Sequence, residues 1–408
     1  MTDSDDLRRR LAAAVPVGDP AWRTALETVP RELFVGDGLF RFDGRHWIPL
    51  HRDRTDPAEW LRLVHQDTTW VTQVDGIAAA DATAPVTGRP TSSSTLPSLI
   101  VRMLDLARIG DGDKVLEIGT GTGYSTAILC ARLGDENVYS IEYDPHLAAA
   151  AAEHIHSAGH HPTLLTGDGL AGHRDGAEYD HIVATCAVRH IPPAWLHQVP
   201  DGGTVTAAVG GWLPASGLVR LTVHDDGTAT GRFHTDQISY MLARPHERPP
   251  RPTFHKNPGR TRSTRVQPAL LEDWTGQFLA QLAAPSAELM TTGTDVILVD
   301  VATGSQAWTE LAGVGWTVHQ HGPLQLWGPG GRRPHHLAER GLTHAVRLRH
   351  DGGGERHPTG LARQPRRAVL EPARLRPAYG SAAFHSLEGG TNRGRGVRHW
   401  VAPTTLEW

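Results

Sequence analysis

Cysteine is nearly absent: Cys130 and Cys186 are the two thiols in 408 residues. One falls in an expected helix and the other at an expected strand end, which argues against a disulfide framework and against a zinc site. A reducing cytoplasm is the simplest compartment for such a chain. Charge excess is also missing. Forty Lys and Arg face 44 Asp and Glu, a formal net charge of −4, so there is no electrostatic footprint for nucleic acid or an acidic membrane. No apolar run is long enough to cross a bilayer. The stretch Met1 to Asp6 is acidic and polar, without the apolar centre of a secretory signal. Histidine is plentiful but scattered. The adjacent pairs His160-His161 and His335-His336 would point in different directions on a helix, which favours solvated surface over metal ligation. No metal is expected. The length allows two or three domains with a real core.

What is present is concentrated in one stretch. Val115, Leu116 and Ile118 read as a buried parallel strand, Gly119, Gly121 and Gly123 alternate behind it, and Ser125 to Leu133 has helical spacing. Strand, glycine turn and helix make half of a βαβ unit. Its glycines let a ligand approach the backbone, and its helix offers free N–H groups. A dinucleotide turn spaces its glycines G-x-G-x-x-G, whereas here the third comes one residue early and Glu117 precedes the first. A carboxylate beside a pyrophosphate is repulsive, and beside the ammonium of a methionine moiety it is favourable. S-adenosyl-L-methionine is therefore the expected cofactor. Asn137 to Ile141 forms the next strand and ends at Glu142, at the spacing where a carboxylate takes ribose hydroxyls. Strand Thr163 to Thr166 delivers Gly167-Asp168-Gly169, and strand Tyr179 to Ala184 ends at Thr185-Cys186-Ala187. The residues assigned to the cofactor are Glu117, Gly119, Thr120, Gly121, Thr122, Gly123, Tyr124, Glu142, Tyr143, Asp168, Gly169 and Thr185.

The expected fold class is α/β, a Rossmann-like sheet with helices on both faces. An N-terminal helical segment precedes the sheet and an α+β extension follows it. Leu7 to Ala14 and Pro20 to Thr28 read as helices, the second opened by a first-turn proline. Pro193 to Gln198 reads as a short helix and Thr204 to Val209 as a strand. Val219 to Val223 and Thr228 to Phe233 alternate around Asp225-Asp226-Gly227, a hairpin expected to close the sheet edge. Arg244 to Asn257 is a Pro- and Arg-rich linker, Leu270 to Leu282 a helix and Asp295 to Val301 a strand. The expected divisions are an N-terminal helical and lid region over 1–90, a methyltransferase domain over 91–243, an extension over 244–327 and an irregular or disordered tail over 328–408.

Several of these motifs, in order, resemble the protein-L-isoaspartate O-methyltransferases: Val29-Pro30-Arg31-Glu32-Leu33-Phe34-Val35, Pro97 to Leu104, Asp113 to Tyr124, Glu142, Gly167-Asp168-Gly169, Tyr179-Asp180 and Gly202 to Val205. The resemblance runs from about Val29 to Phe233. It implies methyl transfer to a side-chain carboxylate, followed by closure to a succinimide. In that family a Thr-x-Ser-Gln-Pro loop holds the substrate carboxylate. The matching run here is Pro90-Thr91-Ser92-Ser93-Ser94-Thr95-Leu96-Pro97, with Thr95 at the serine position and Leu96 replacing the glutamine. Ser93, Ser94 and Thr95 are the expected substrate-binding hydroxyls. The other reading of this run is a flexible linker that caps the helix at Pro97. An insertion containing Trp70 to Gly76 is expected to be a lid or substrate-facing element.

These departures look more like relatives in peptide natural-product pathways, which methylate an aspartate of a ribosomally made, cyclised precursor such as a graspetide or lanthipeptide and so drive aspartimide formation. Thr91 to Ser94, Thr185 to Arg189 and Gly227 to His234 pull toward the graspetide-associated branch. The expected partner is then a modified precursor peptide, with no nucleic acid and no membrane. The alternative is repair of isoaspartyl residues in damaged proteins. A small-molecule methyltransferase and a non-catalytic binding module are the more distant readings. For the tail, the second reading beside disorder is an altered reading frame near Trp327, where related proteins continue as a regular helix.

Overall fold

The computed structural model describes residues 4–327 except 214, 235–237, 239, 251–252, 255, 257–258, 265–266, 293–294, 313–314 and 325, together with the backbone of 346–347 and 367–371. Helices α1 (Ser4–Ala14) and α2 (Pro20–Thr28) form as expected. Asp19 opens α2 by accepting the Ala21 N–H at 2.9 Å. Then the chain departs from the helical lid expected over 1–90. Strands β1 (Gly38–Phe42) and β2 (Trp47–His51), helix α3 (Pro57–Val64), and strands β3 (Trp70–Val74), β4 (Ile77–Ala78) and β5 (Pro90–Ser94) follow. The five strands make one sheet, β2-β1-β3-β4 with β5 on the side of β3. Aromatic and β-branched residues favour strand here, and Phe40, Trp47, Val71 and Val74 bury one face with Ala79 and Ala82. The insertion around Trp70 is thus a central strand.

The hydroxyl run is likewise no flexible linker. It pairs with β3, Ser93 opposite Val71 and Ser94 opposite Trp70. Nor does it cap α4 (Pro97–Ala107), whose first N–H groups are taken by side chains of an earlier loop. Thr69 Oγ1 accepts from Leu96 N at 3.1 Å, and Asp67 Oδ1 accepts from Ser98 N at 2.9 Å.

The second sheet carries β6 (Val115–Ile118), β7 (Val138–Glu142), β8 (Thr163–Thr166), β9 (His181–Val188), β10 (Thr204–Gly210), β11 (Ser216–Val223) and β12 (Thr228–His234). Helices α5 (Tyr124–Leu133), α6 (Pro145–Ser157) and α7 (Pro193–Leu196) connect them. The order is β8-β7-β6-β9-β10-β11-β12, parallel through β10, with β11 antiparallel to both neighbours. Strand β9 runs longer than expected and contains a bulge. Ala184 pairs with Ala207 and Ala187 with Ala208, leaving Thr185 and Cys186 outside the ladder.

The extension is more regular than expected. A third sheet joins β13 (Arg260–Thr264), β14 (Ala287–Thr292), β15 (Asp295–Asp300), β16 (Gln306–Ala312) and β17 (Gly315–His321) in the order β13-β17-β16-β15-β14. The helix expected over 270–282 splits into a 3-10 turn, Pro268–Leu271, and α8 (Trp274–Ala283), because Asp273 caps α8 by accepting the Gly276 N–H. Trp274 and Phe278 pack on Phe233 of β12. Gln281 Nε2 donates to Ala215 O at 2.9 Å. Beyond Trp327 only strands β18 (Val346–Arg347) and β19 (Arg367–Glu371) are described, and the readings of the tail otherwise lie outside the described residues. Strand β19 runs parallel beside β12, so the hairpin does not close the edge. Among the described residues no helix is long and apolar enough to cross a membrane.

Both faces of the second sheet are covered. Val115 lies in the layer with Leu104, Ala127 and Ile128, whereas Leu116 and Ile118 lie in the opposite layer with Trp195 and Phe278. This period of two decides where every side chain of β6 points.

The loop after α3 and the end of β5 are tied together by Arg31. Its guanidinium is fully buried, and all five of its hydrogen bonds go to backbone carbonyls. Val64 O (3.0 Å), Gln66 O (2.5 Å) and Thr68 O (2.7 Å) follow α3, and Ser94 O and Thr95 O (both 3.3 Å) end β5. Burial lowers its pKa to about 10, still charged at neutral pH. Replacing it with methionine leaves those carbonyls without donors, at roughly 1–3 kcal/mol for each that water cannot reach. Arg31→Met is therefore expected to lose at least about 3 kcal/mol of unfolding free energy in urea, and Arg31→Lys less.

The neighbouring Glu32 tests the same corner by pH. Burial opposes its ionisation, but hydrogen bonds from His65 and Ser4 outweigh burial and hold its pKa at about 2. A carboxylate lowered on folding contributes stability above its unfolded value, near 4.5, and loses it as pH falls through about 2. Glu32→Gln is expected to flatten that acid limb by up to about 3 kcal/mol, read from urea midpoints across the window.

Candidate functional site

Strand order reverses between β6 and β9, and ligands of open α/β sheets bind outside the carboxyl ends of strands at such a point. The glycine turn sits there. Gly119, Gly121 and Gly123 all have positive φ, at 100°, 57° and 89°. A Cβ on Gly123 would come within 2.9 Å of Ile155 Cγ1 on α6, so the turn can pack only with glycine at that place. A Cβ on Gly121 would meet nothing nearer than Ser93 O at 3.9 Å and would project into open space.

That space is a cavity of about 880 Å³. Gly119, Thr120, Gly121, Thr122, Tyr124, Glu142, Tyr143, Asp168, Gly169 and Thr185 line it, as do Ser93 and Thr95 from the facing loop. Glu142, at the carboxyl end of β7, accepts the Gly121 N–H at 2.8 Å and the Asp144 N–H at 3.0 Å. Each carboxylate oxygen has a second lone pair available for a ligand hydroxyl. Tyr143 is half exposed beside it. Asp168 is exposed and accepts from Leu170 N. Thr185, freed from the ladder by the bulge, donates to Gly119 O at 2.6 Å and ties β9 to the turn. Thr91 and Ser92 also line the cavity but are engaged with β3, Thr91 donating to Gln73 Oε1 at 2.7 Å and Thr72 donating to Ser92 Oγ at 3.1 Å. The hydroxyls of Ser93 and Thr95 make no such bond to any described residue.

Three expected site residues do not reach the cavity. Glu117 shares the β6 face of Val115, so its carboxylate lies under the amino end of α5. There it accepts from Ser125 Oγ (2.5 Å), Thr126 Oγ1 (2.5 Å) and Ser140 Oγ (2.8 Å). Burial raises its pKa against the pull of these hydroxyls. These bonds brace the turn. Gly123 acts through close packing, as above. Ser94 alternates with Ser93 along β5 and is buried away from the cavity, while its carbonyl takes Arg31.

Sequence reasoning missed other participants. Arg244, read as linker, donates to Thr91 O at 2.8 Å, and Arg89 donates to Arg248 O at 3.3 Å, so the segment after β12 roofs the cavity. Arg248 in turn lies 3.4 Å from the buried Glu288 of β14. Tyr240 lines the cavity too. The ending of Ile238 to Ala243 carries no glycine or charge to flag it. Burial, then the nearby Glu142, pushes the Cys186 thiol up to about 12.

The fold and this site define the class, an α/β methyltransferase of the Rossmann-like kind. The chain belongs to the protein-L-isoaspartate(D-aspartate) O-methyltransferase family, whose model matches residues 64–238, and the family uses S-adenosyl-L-methionine. It is 35% identical over 158 residues to a protein-L-isoaspartate O-methyltransferase of Ignicoccus hospitalis, spanning 38% of this chain and 74% of that one. It is 34% identical over 231 residues to protein-L-isoaspartate O-methyltransferase 1 of Anaeromyxobacter sp., spanning 56% and 89%. A solved protein-L-isoaspartate O-methyltransferase superposes with a TM-score of 0.48 at 19% identity, covering 79% of this chain and 88% of that one.

If Glu142 takes ligand hydroxyls, Glu142→Ala loses charge-assisted hydrogen bonds. The dissociation constant of S-adenosyl-L-homocysteine, read by calorimetry, is expected to rise roughly 10–100-fold.

Proposed function

We propose that this protein is an S-adenosyl-L-methionine-dependent carboxyl O-methyltransferase acting on isoaspartyl residues of proteins. The observation that carries the proposal is a single cavity with the glycine turn and Glu142 on one wall and the free hydroxyls of Ser93 and Thr95 on the other. The donor set suits the cofactor: positive-φ glycines leave the floor open, Glu142 can hold the ribose, and Tyr143 offers a ring beside it. When bound, the cofactor supplies an electrophilic methyl group.

The protein's own work is placement. A carboxylate is already ionised near neutral pH and needs no base. Thr95 and Ser93 are suited to holding one carboxylate oxygen so that the other lies in line with the methyl group, a placement that can lower a barrier by up to about 7–11 kcal/mol. Held there, the carboxylate oxygen would take the methyl group and lose its negative charge in doing so. Uncharged donors suit this step, because the carboxylate charge is neutralised on the way to the transition state and tight anion binding would slow it. The following backbone nitrogen can then attack the ester, expel methanol and close the succinimide.

A second reading is favoured by two features. The roof formed by Arg244 and Arg248 belongs to the extension, and Leu96 stands where repair enzymes have glutamine. Both features fit a specialised substrate, an aspartate in a ribosomally made, cyclised peptide. Mass spectrometry of an isoaspartyl test peptide and of a cyclised precursor, each with its linear aspartyl control, separates the two readings. The expected result is a gain of one methyl and then net loss of water on the isoaspartyl peptide. Turnover of the cyclised peptide alone would replace repair with the peptide-pathway role.

A further inference from the structure

Outside the cavity, and among the described residues, one group of side chains has the chemistry of a metal centre. Cys130 Sγ, an Asp135 carboxylate oxygen and a His160 ring nitrogen all lie within 4.8 Å of one another. Cys130 sits in the last turn of α5, Asp135 opens the turn before β7, and His160 follows α6. Sequence spacing gave no sign of the group, since α6 must fold back to bring His160 in. His160 Nδ1 stands 3.0 Å from Asp135 Oδ1, and the other oxygen of that carboxylate accepts the His161 N–H at 2.6 Å. The two adjacent histidines diverge. His160 turns to Asp135, whereas the His161 ring packs on His156 with 4.9 Å between ring centres. Cys130 is buried, while the side chains of His160 and Asp135 are 21% and 29% exposed, so the group opens to solvent on their side.

Thiolate, imidazole and carboxylate together are a donor set for zinc. Around a tetrahedral zinc such atoms stand about 3.3–3.6 Å apart, so seating the ion needs an inward shift on the order of 1 Å at most. We infer that Cys130, Asp135 and His160 bind one Zn2+ ion, with water from the open side as the fourth ligand. Binding exchanges a proton for the metal. The Cys130 S–H bond breaks, its proton leaves to solvent, and the sulfur keeps the electron pair that it gives to the ion. His160 binds through Nδ1 and carries its proton on Nε2. Burial, then the Asp135 charge, disfavours a free thiolate here, and a divalent cation reverses that balance. Helices α5 and α6 already meet where Gly123 packs on Ile155. The ion adds a second tie at the opposite end of α5, independently of the methyltransferase reading.

Titration of Co2+ into the chelator-stripped full chain tests the site. A cobalt–thiolate bond gives a near-ultraviolet charge-transfer band that surface histidines and carboxylates do not. The band is expected to saturate at one equivalent, to bleach when Zn2+ is added, to persist in Cys186→Ser and to vanish in Cys130→Ser. His160→Ala and Asp135→Asn alter partly exposed side chains and keep the test open should the Cys130 variant fail to fold. Each is expected to weaken Zn2+ binding roughly 10-fold or more in competition with a chromophoric chelator. Zn2+ is also expected to raise the melting temperature of the wild-type chain more than that of His160→Ala. Absence of a thiolate band, a band that survives Cys130→Ser, or unchanged Zn2+ affinity in either His160→Ala or Asp135→Asn overturns the inference and leaves a hydrogen-bonded cluster without a metal.

Discussion

A buried cation shared among five carbonyls sets the geometry of this molecule. Taking a guanidinium out of water is costly, and Arg31 offsets that cost by giving its donors to two separate backbone segments. One segment follows α3 and the other ends β5, the strand that brings Ser93 to the cavity. The same group lies 5.6 Å from the centre of the Tyr124 ring, at the residue that follows the glycine turn. The β5 side and the glycine-turn side of the cavity therefore meet at one planar group whose fixed donor directions no other side chain reproduces.

Opposite Arg31, the turn is braced from below. Glu117 gathers hydroxyls from α5 and β7 into one buried cluster, and Thr120 joins it through Ser140 at 2.7 Å. From the side, the bulge in β9 lets Thr185 reach the Gly119 carbonyl. The floor of the cavity is thus over-determined by a carboxylate, a bulge and close packing against Ile155. Its roof is held by fewer bonds, those of Arg244 to Thr91 O and Arg89 to Arg248 O.

The α/β core was legible in the sequence, because apolar runs, alternate glycines and polar strand tips recur in order and each has a local physical cause. Strands β6 and β8 and helix α2 keep their expected limits. What failed needed contacts between distant segments. Serine and threonine in a row suit a linker or a strand equally, and only pairing with β3 decides. Glu117 was assigned to a ligand by its place beside the glycines, yet the pleat of β6 turns it the other way. Strand periodicity already held that answer, since Val115 and Glu117 must share a face. Arg244 sits in a proline-rich stretch that gives no hint of its reach to β5.

That reach constrains when the site can exist. Arg244 and the Thr91 carbonyl are separated by 153 residues of chain, and Arg89 and Arg248 by 159. Contacts of such separation repay their loop-closure entropy late in folding. During synthesis the first sheet and the glycine turn can consolidate while the ribosome is still translating the extension. The roof cannot. A nascent or truncated chain ending before residue 248 would lack the roof that Arg244 and Arg248 tie to Thr91 and Arg89, so extension of the chain through that segment separates a folded core from a finished site.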